Sequence, residues 1–105
     1  MIVVIFEVEI NPDRNERYFE LAGILRKELE STDGFISIER FQSLNDEKKY
    51  VSLSFWRDQG AVDAWYQKPD HRNAQHEGRD GVFLDYRIRV AEVFRDYDMA
   101  QGRPG

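Results

Sequence analysis

The sequence predicts a single α+β domain in the order strand, helix, strand, strand, helix, strand, and three observations carry that prediction. Apolar and polar side chains alternate with the period of a half-buried strand within residues 1–10, 35–42, 50–57 and 82–97. One apolar stripe at spacings of three and four runs from Tyr18 to Leu29, as a helix lying on a core requires. A second helix-length stretch after Asp58 separates the third strand from the fourth. That order is the ferredoxin-like βαββαβ arrangement, a four-stranded antiparallel sheet with two helices on one face. Many unrelated activities share it, so it frames the chemistry without naming it.

In residues 1–10, Phe6, Val8 and Ile10 alternate with Glu7 and Glu9, while Val3 and Ile5 place apolar groups on the second face as well. Asn11 followed by Pro12 starts a helix, because an asparagine side chain caps the first turn and proline loses nothing there by lacking an N–H. Tyr18, Leu21, Ala22, Leu25 and Leu29 form the apolar stripe of this helix, and Asp33-Gly34 closes it. In the second strand Phe35, Ser37, Glu39 and Phe41 fall on one face and Ile36, Ile38 and Arg40 on the other; the turn over residues 44–47 returns the chain as a hairpin. Asp58 caps a second helix carrying Val62, Trp65 and Tyr66, which breaks at Pro69 and resumes from Asp70 to about Arg79. The last run, 82–97, alternates through Leu84, Tyr86, Ile88 and Val90 and then changes parity, which one bulge near Ala91 and Glu92 would explain. The domain is expected over 1–99, with a frayed, small and polar tail over 100–105.

Two helices cover one face of such a sheet, yet Val3, Ile5, Ile36, Ile38, Val51, Leu53 and Phe55 point to apolar ground on the other. A self-complementary homodimer is the simplest cover for it.

Composition narrows the function. The net charge of −5, with 15 basic residues scattered among 20 acidic ones, leaves no basic stripe for nucleic acid and no polybasic segment for a membrane surface. No apolar run approaches the roughly 20 residues of a spanning helix, and the first ten residues read as a strand and not a signal. The absence of cysteine removes disulfides, thiolate metal sites and a cysteine nucleophile together, and fits a cytoplasmic setting. There is no GxGxxG or phosphate loop, and two histidines at i and i+5 do not share a helix face as metal ligands would. No metal site is therefore expected.

Residues 54–79 hold both tryptophans and both histidines of the chain, at one strand-to-helix junction. On a helical wheel at about 100° per residue, His71, Ala74, Gln75 and Gly78 share one face, while Arg72, Asn73, His76 and Glu77 lie opposite. The small Ala74 and Gly78 mark the packed face, so His71 is the histidine directed inward, reading either as a pocket residue or as a structural histidine satisfied by a neighbouring carboxylate or carbonyl beside the helix break. Trp56 and Trp65 read either as core or as walls for a flat substrate.

The element SFWRDQGAVDAW, the KPDHR that follows the helix break, the AQ and GR after it and a last strand ending in EVFRDY resemble the antibiotic biosynthesis monooxygenase domain family. The resemblance reaches from the first strand to Tyr97. It implies a dimeric α+β barrel with a pocket between sheet and helices in each protomer. It also implies a cofactor-independent monooxygenase that oxidises a small aromatic molecule, a quinol or polyketide-like phenol, with O2. His71 then stands where the family often has a histidine near its cavity and is the candidate catalytic base; Trp56, Trp65, Arg72, Gln75, Tyr86 and Phe6 are the candidate pocket residues, with Arg72 or Tyr86 as oxyanion donors.

Two other readings stay open. One is a non-catalytic dimeric module that binds a small ligand. The other is the family's haem-degrading branch, whose axial histidine stands about ten residues after a helix tryptophan; from Trp65 that count reaches Gln75, with His76 one residue late.

Overall fold

A computed structural model describes residues 1–102, the side chain of Asp70 excepted; residues 103–105 of the expected tail lie outside it. Strands β1 (Ile2–Ile10), β2 (Phe35–Gln42), β3 (Lys49–Trp56) and β4 (Phe83–Glu92) form one antiparallel sheet in the order β2-β3-β1-β4. Helix α1 (Asn15–Glu30) links β1 to β2, and the pair α2 (Gln59–Tyr66) and α3 (Pro69–Glu77) links β3 to β4. The α+β, ferredoxin-like arrangement expected from the sequence is present. Among the described residues, no helix is long and apolar enough to cross a membrane.

Local chemistry sets the helix ends. The Asn11 side chain accepts from the Asp13 N–H, and Pro12 opens a short 3-10 turn, Pro12–Arg14, that runs into α1. At the other end Ser31 and Thr32 close α1 on the Glu28 carbonyl. Gly34 follows at φ +85°, where a Cβ would also land 2.5 Å from Ala61 Cβ. Glycine is thus demanded there both by backbone conformation and by close packing of the loop on α2. Asp58 accepts from the Ala61 N–H at 2.9 Å and caps α2. Lys68 is extended, as a residue before proline must be, so the chain bends before Pro69 begins α3.

The even residues of β1 face the helices, and Val4, Val8 and Ile10 are buried there. Two core clusters result. Val4, Leu29, Trp56, Val62 and Trp65 form one, and Val8, Ile10, Tyr18 and Val82 the other. The odd residues face away: Val3 pairs with Phe55, Ile5 with Leu53 and Glu7 with Val51, which lays a half-buried apolar strip across the uncovered face.

Three details differ from the expectation. Strand β4 ends at Glu92 and not at Tyr97, and its irregularity lies at the other end: Glu9 pairs with Asp85 and Ile10 with Phe83, leaving Leu84 as the extra residue. In β2, Phe35 pairs with Trp56 and Ser37 with Phe55, so Ile36 bulges and Phe35 turns to the helix side. Ile38 pairs with Ser54 and packs against the core, so it leaves the set of outer-face residues. Finally, α3 stops at Glu77 and a wider turn, Gly78–Val82, carries the chain through Gly81 at φ +122° into β4.

Candidate functional site

A cavity of about 140 Å³ lies between the helices and the sheet, lined from both core clusters. It exists because small residues stand where a filled core would carry large ones: Ser52 and Ser54 on β3, Ala22 on α1 and Ala74 on α3 all line it. Apolar cavities of roughly this size, ~150 Å³, take up benzene in other proteins. Its lining draws on all four strands, from Ile38 and Arg40 on β2 at one sheet edge to Tyr86 and Ile88 on β4 at the other. At ~4.8 Å per strand spacing the floor spans about 14 Å, a long and narrow shape.

One end is aromatic. Trp56 is buried to 1% exposure, and its indole N–H donates to Ser54 Oγ at 3.0 Å, so the polar atom of the ring is satisfied inside the wall. Trp65 lies 6.2 Å away, centroid to centroid. His71 of α3 meets Trp65 edge-on at 5.2 Å and Tyr66 at 4.9 Å. Among the described residues its buried Nδ1 has no hydrogen-bond partner, and neither has the buried Tyr66 hydroxyl. Burial alone pulls the His71 pKa from its ordinary 6.5 to about 4, so the ring is neutral at physiological pH. Burial, reinforced by the Asp63 charge, pushes the Tyr66 phenol up. Two residues that line the cavity thus each carry a buried polar atom without a partner among the described residues, and a ligand that displaces the side chains slightly could supply one.

Phe6, Phe83 and Tyr86 make a second aromatic group, with centroids 5.7 to 6.1 Å apart. The Tyr86 hydroxyl accepts from Arg79 at 3.3 Å. On the α1 side, Arg40 donates through Nε to the Tyr18 hydroxyl at 3.1 Å and its guanidinium sits 5.7 Å from the ring centre. Burial raises the Tyr18 pKa against the opposing pull of Arg40. A fork of Arg17 on Glu77 ties α1 to α3; one arm measures 2.8 Å, and Arg17 holds the Glu77 carboxyl below its usual range. Among the described residues no group of three His, Cys, Asp or Glu is gathered as a metal site would need.

Of the residues nominated from sequence, His71, Gln75, Trp56, Trp65, Tyr86 and Phe6 all line this one cavity. Arg72 does not: it is exposed, a step of ~100° round the helix from His71. His76 is exposed as well, outside the lining, while Gln75 occupies the inward place. Sequence reasoning missed Tyr66, Tyr18 and Arg40. The signal available for Arg40 was a charge at a position whose neighbour two residues back, Ile38, is apolar and faces the core.

The model of the family described as antibiotic biosynthesis monooxygenase matches residues 1–77. Over 93 residues the chain is 43% identical to the jasmonate monooxygenase ABM of Pyricularia oryzae, which covers 89% of this chain but 43% of that protein. The chain therefore spans less than half the length of that relative. Among solved structures it resembles Rv0793 from Mycobacterium tuberculosis, with TM-score 0.82 and 16% identity over 92% of this chain and 98% of that one. A protein from Deinococcus radiodurans whose crystal structure carries the same family name gives TM-score 0.85 at 13% identity, over 94% and 98% of the two chains. At such identities these likenesses speak for the fold.

Proposed function

The chain belongs to the antibiotic biosynthesis monooxygenase family, and from that membership we propose that its cavity oxidises a small aromatic substrate, a phenol or quinol, with O2 and without a cofactor. The observation that carries this reading is the buried, neutral His71 ring 4.9 Å from the Tyr66 ring, its Nδ1 and the Tyr66 hydroxyl both without a partner among the described residues, with both residues lining an apolar cavity.

In this reading the substrate supplies every electron. A phenol that reacts with O2 at a ring carbon bearing hydrogen gives a quinone and water: one oxygen atom becomes the new carbonyl, the other leaves as water, and four electrons pass from substrate to O2. What the protein must add is a place for the phenol proton and a donor for the oxygen that bears negative charge. His71 receives the proton. With a pKa of about 4 in the empty site it is a weak base, but the phenolate formed in the same step lies against the new imidazolium, and that attraction is strong where water is excluded. The Tyr66 hydroxyl donates to the oxyanion. Trp56 and Trp65 wall one end, Phe6 and Tyr86 the other, and together they keep water from the reduced oxygen intermediates. The named substrate of the Pyricularia oryzae relative adds jasmonic acid to the molecules worth testing.

The family's dimeric architecture and the strip of Val3, Ile5, Val51, Leu53 and Phe55 support a homodimer through the uncovered sheet face. A second reading, a ligand-binding module without turnover, is favoured by the depressed His71 pKa. Oxygen uptake separates the two. With a panel of phenols and quinols, the enzyme reading expects uptake that His71→Ala lowers by ~10²–10⁴ and His76→Ala leaves alone, while jasmonic acid, which has no phenol to supply the electrons, is tested for binding. Binding of panel members with no uptake would establish the module instead.

A further inference from the structure

The charges around the cavity are one-sided. The chain carries 20 acidic against 15 basic residues, yet among the described residues no aspartate or glutamate lines the cavity, while Arg26 and Arg40 do. Arg26 is exposed at the mouth and spends its charge on Glu30 at 3.7 Å. Arg40 has no such counter-charge: among the described residues no carboxylate pairs with it, and its one side-chain hydrogen bond goes through Nε to the neutral Tyr18 hydroxyl. Its sequence neighbour Glu39 pairs with Leu53 on the opposite face of the sheet. The two terminal nitrogens of Arg40 are therefore uncommitted, and they are held in place because Nε is fixed by Tyr18, itself 5% exposed. A guanidinium so arranged presents the planar pair of donors that matches a carboxylate.

We propose that the natural substrate or ligand of this cavity is a monocarboxylate with an apolar body, seated with its carboxylate on the terminal nitrogens of Arg40. This rests on the reading of the cavity as the substrate site and narrows the substrate to an acid. The geometry fits the class. Arg40 stands on the β2 edge strand, and the floor then runs over Ser52, Phe6 and Ile88 to the β4 edge, about 14 Å in all. The charged end is held at one side while the apolar body lies along the floor, so Arg40 acts as a positioning and specificity residue and not as a catalytic one.

The test is binding of matched pairs, 4-phenylbutyrate against its methyl ester and jasmonic acid against methyl jasmonate, by calorimetry on the wild type, Arg40→Met and Arg40→Lys. The expected result is an acid bound at least roughly tenfold tighter than its ester by the wild type, a preference abolished in Arg40→Met and partly kept in Arg40→Lys. The wild-type comparison stands even if Arg40→Met fails to fold. Equal binding of acid and ester overturns the inference and leaves the cavity as the substrate site. A preference that survives Arg40→Met places the anion elsewhere and overturns it too. Failure of all four molecules to bind overturns the inference, and a simple phenol titrated beside them shows whether the reading of the cavity as the substrate site falls with it.

Discussion

Acidification should weaken this protein through one side chain. Folding lowers the His71 pKa from 6.5 to about 4, so between those values the unfolded chain binds a proton that the folded chain refuses. Stability is then full above about pH 6.5, falls as pH drops toward 4 and loses nothing further from this group below that. The whole offset corresponds to about 3.4 kcal/mol at ~1.36 kcal/mol per unit, of which about 1.8 kcal/mol falls between pH 7 and 5. Solvent still reaches the half-buried ring and screens the charge, which brings the expected loss in that window to about 1 kcal/mol. The carboxyls held low in the folded state, on Asp33, Asp58 and Glu77, keep their stabilisation until pH falls below the ordinary carboxylate range, so they stay silent here. Urea unfolding at pH 7, 6 and 5 on the wild type and His71→Gln measures the difference. The wild type should lose about 1 kcal/mol more than the variant between the ends of that range. Parallel pH dependences, or a wild type that gains stability on acidification, would refute the picture of a neutral imidazole buried against Trp65 and Tyr66.

Further outcomes follow from packing. Gly78 is buried with a helical backbone, and a Cβ there would run into the Phe83 ring, so Gly78→Ala should cost ~1–3 kcal/mol in urea unfolding. Gly23, inside α1 with open space about it, gives the opposite sign: Gly23→Ala should stabilise by ~0.5–1 kcal/mol through helix propensity alone. For the proposed dimer, light scattering should find twice the mass of one chain at micromolar concentration, and Leu53→Lys on the outer sheet face should reduce it to one; a wild-type monomer would remove the dimer.

Most of the frame was legible in the sequence because its signals are periodic. The even residues of β1 face the helices as their alternation said, and the stripe from Tyr18 to Leu29 lies on the sheet. The face of α3 was readable too, since Ala74 and Gly78 are buried beside the inward His71 and Gln75. Bulges were not legible in their place: the extra residues, Ile36 and Leu84, are ordinary strand formers, and the parity change that hinted at irregularity after Val90 reflects the end of the strand. Arg72 failed as a pocket residue because adjacency to His71 in sequence becomes a turn of ~100° on the helix. Tyr66 and Arg40 were hidden for a different reason. Tyr66 acquires its role from the bend at Pro69, which folds His71 back over it, and Arg40 from the packing of α1 across β2.

The central claim is that this cavity passes electrons from its ligand to O2. Turnover under ¹⁸O₂, with the protein freed of metal by chelator and no cofactor added, tests it most directly. The expected result is a quinone product that gains one labelled oxygen, one labelled water per product and the loss of both with His71→Ala. Stoichiometric binding of the same phenol with no label in product or water would contradict the account.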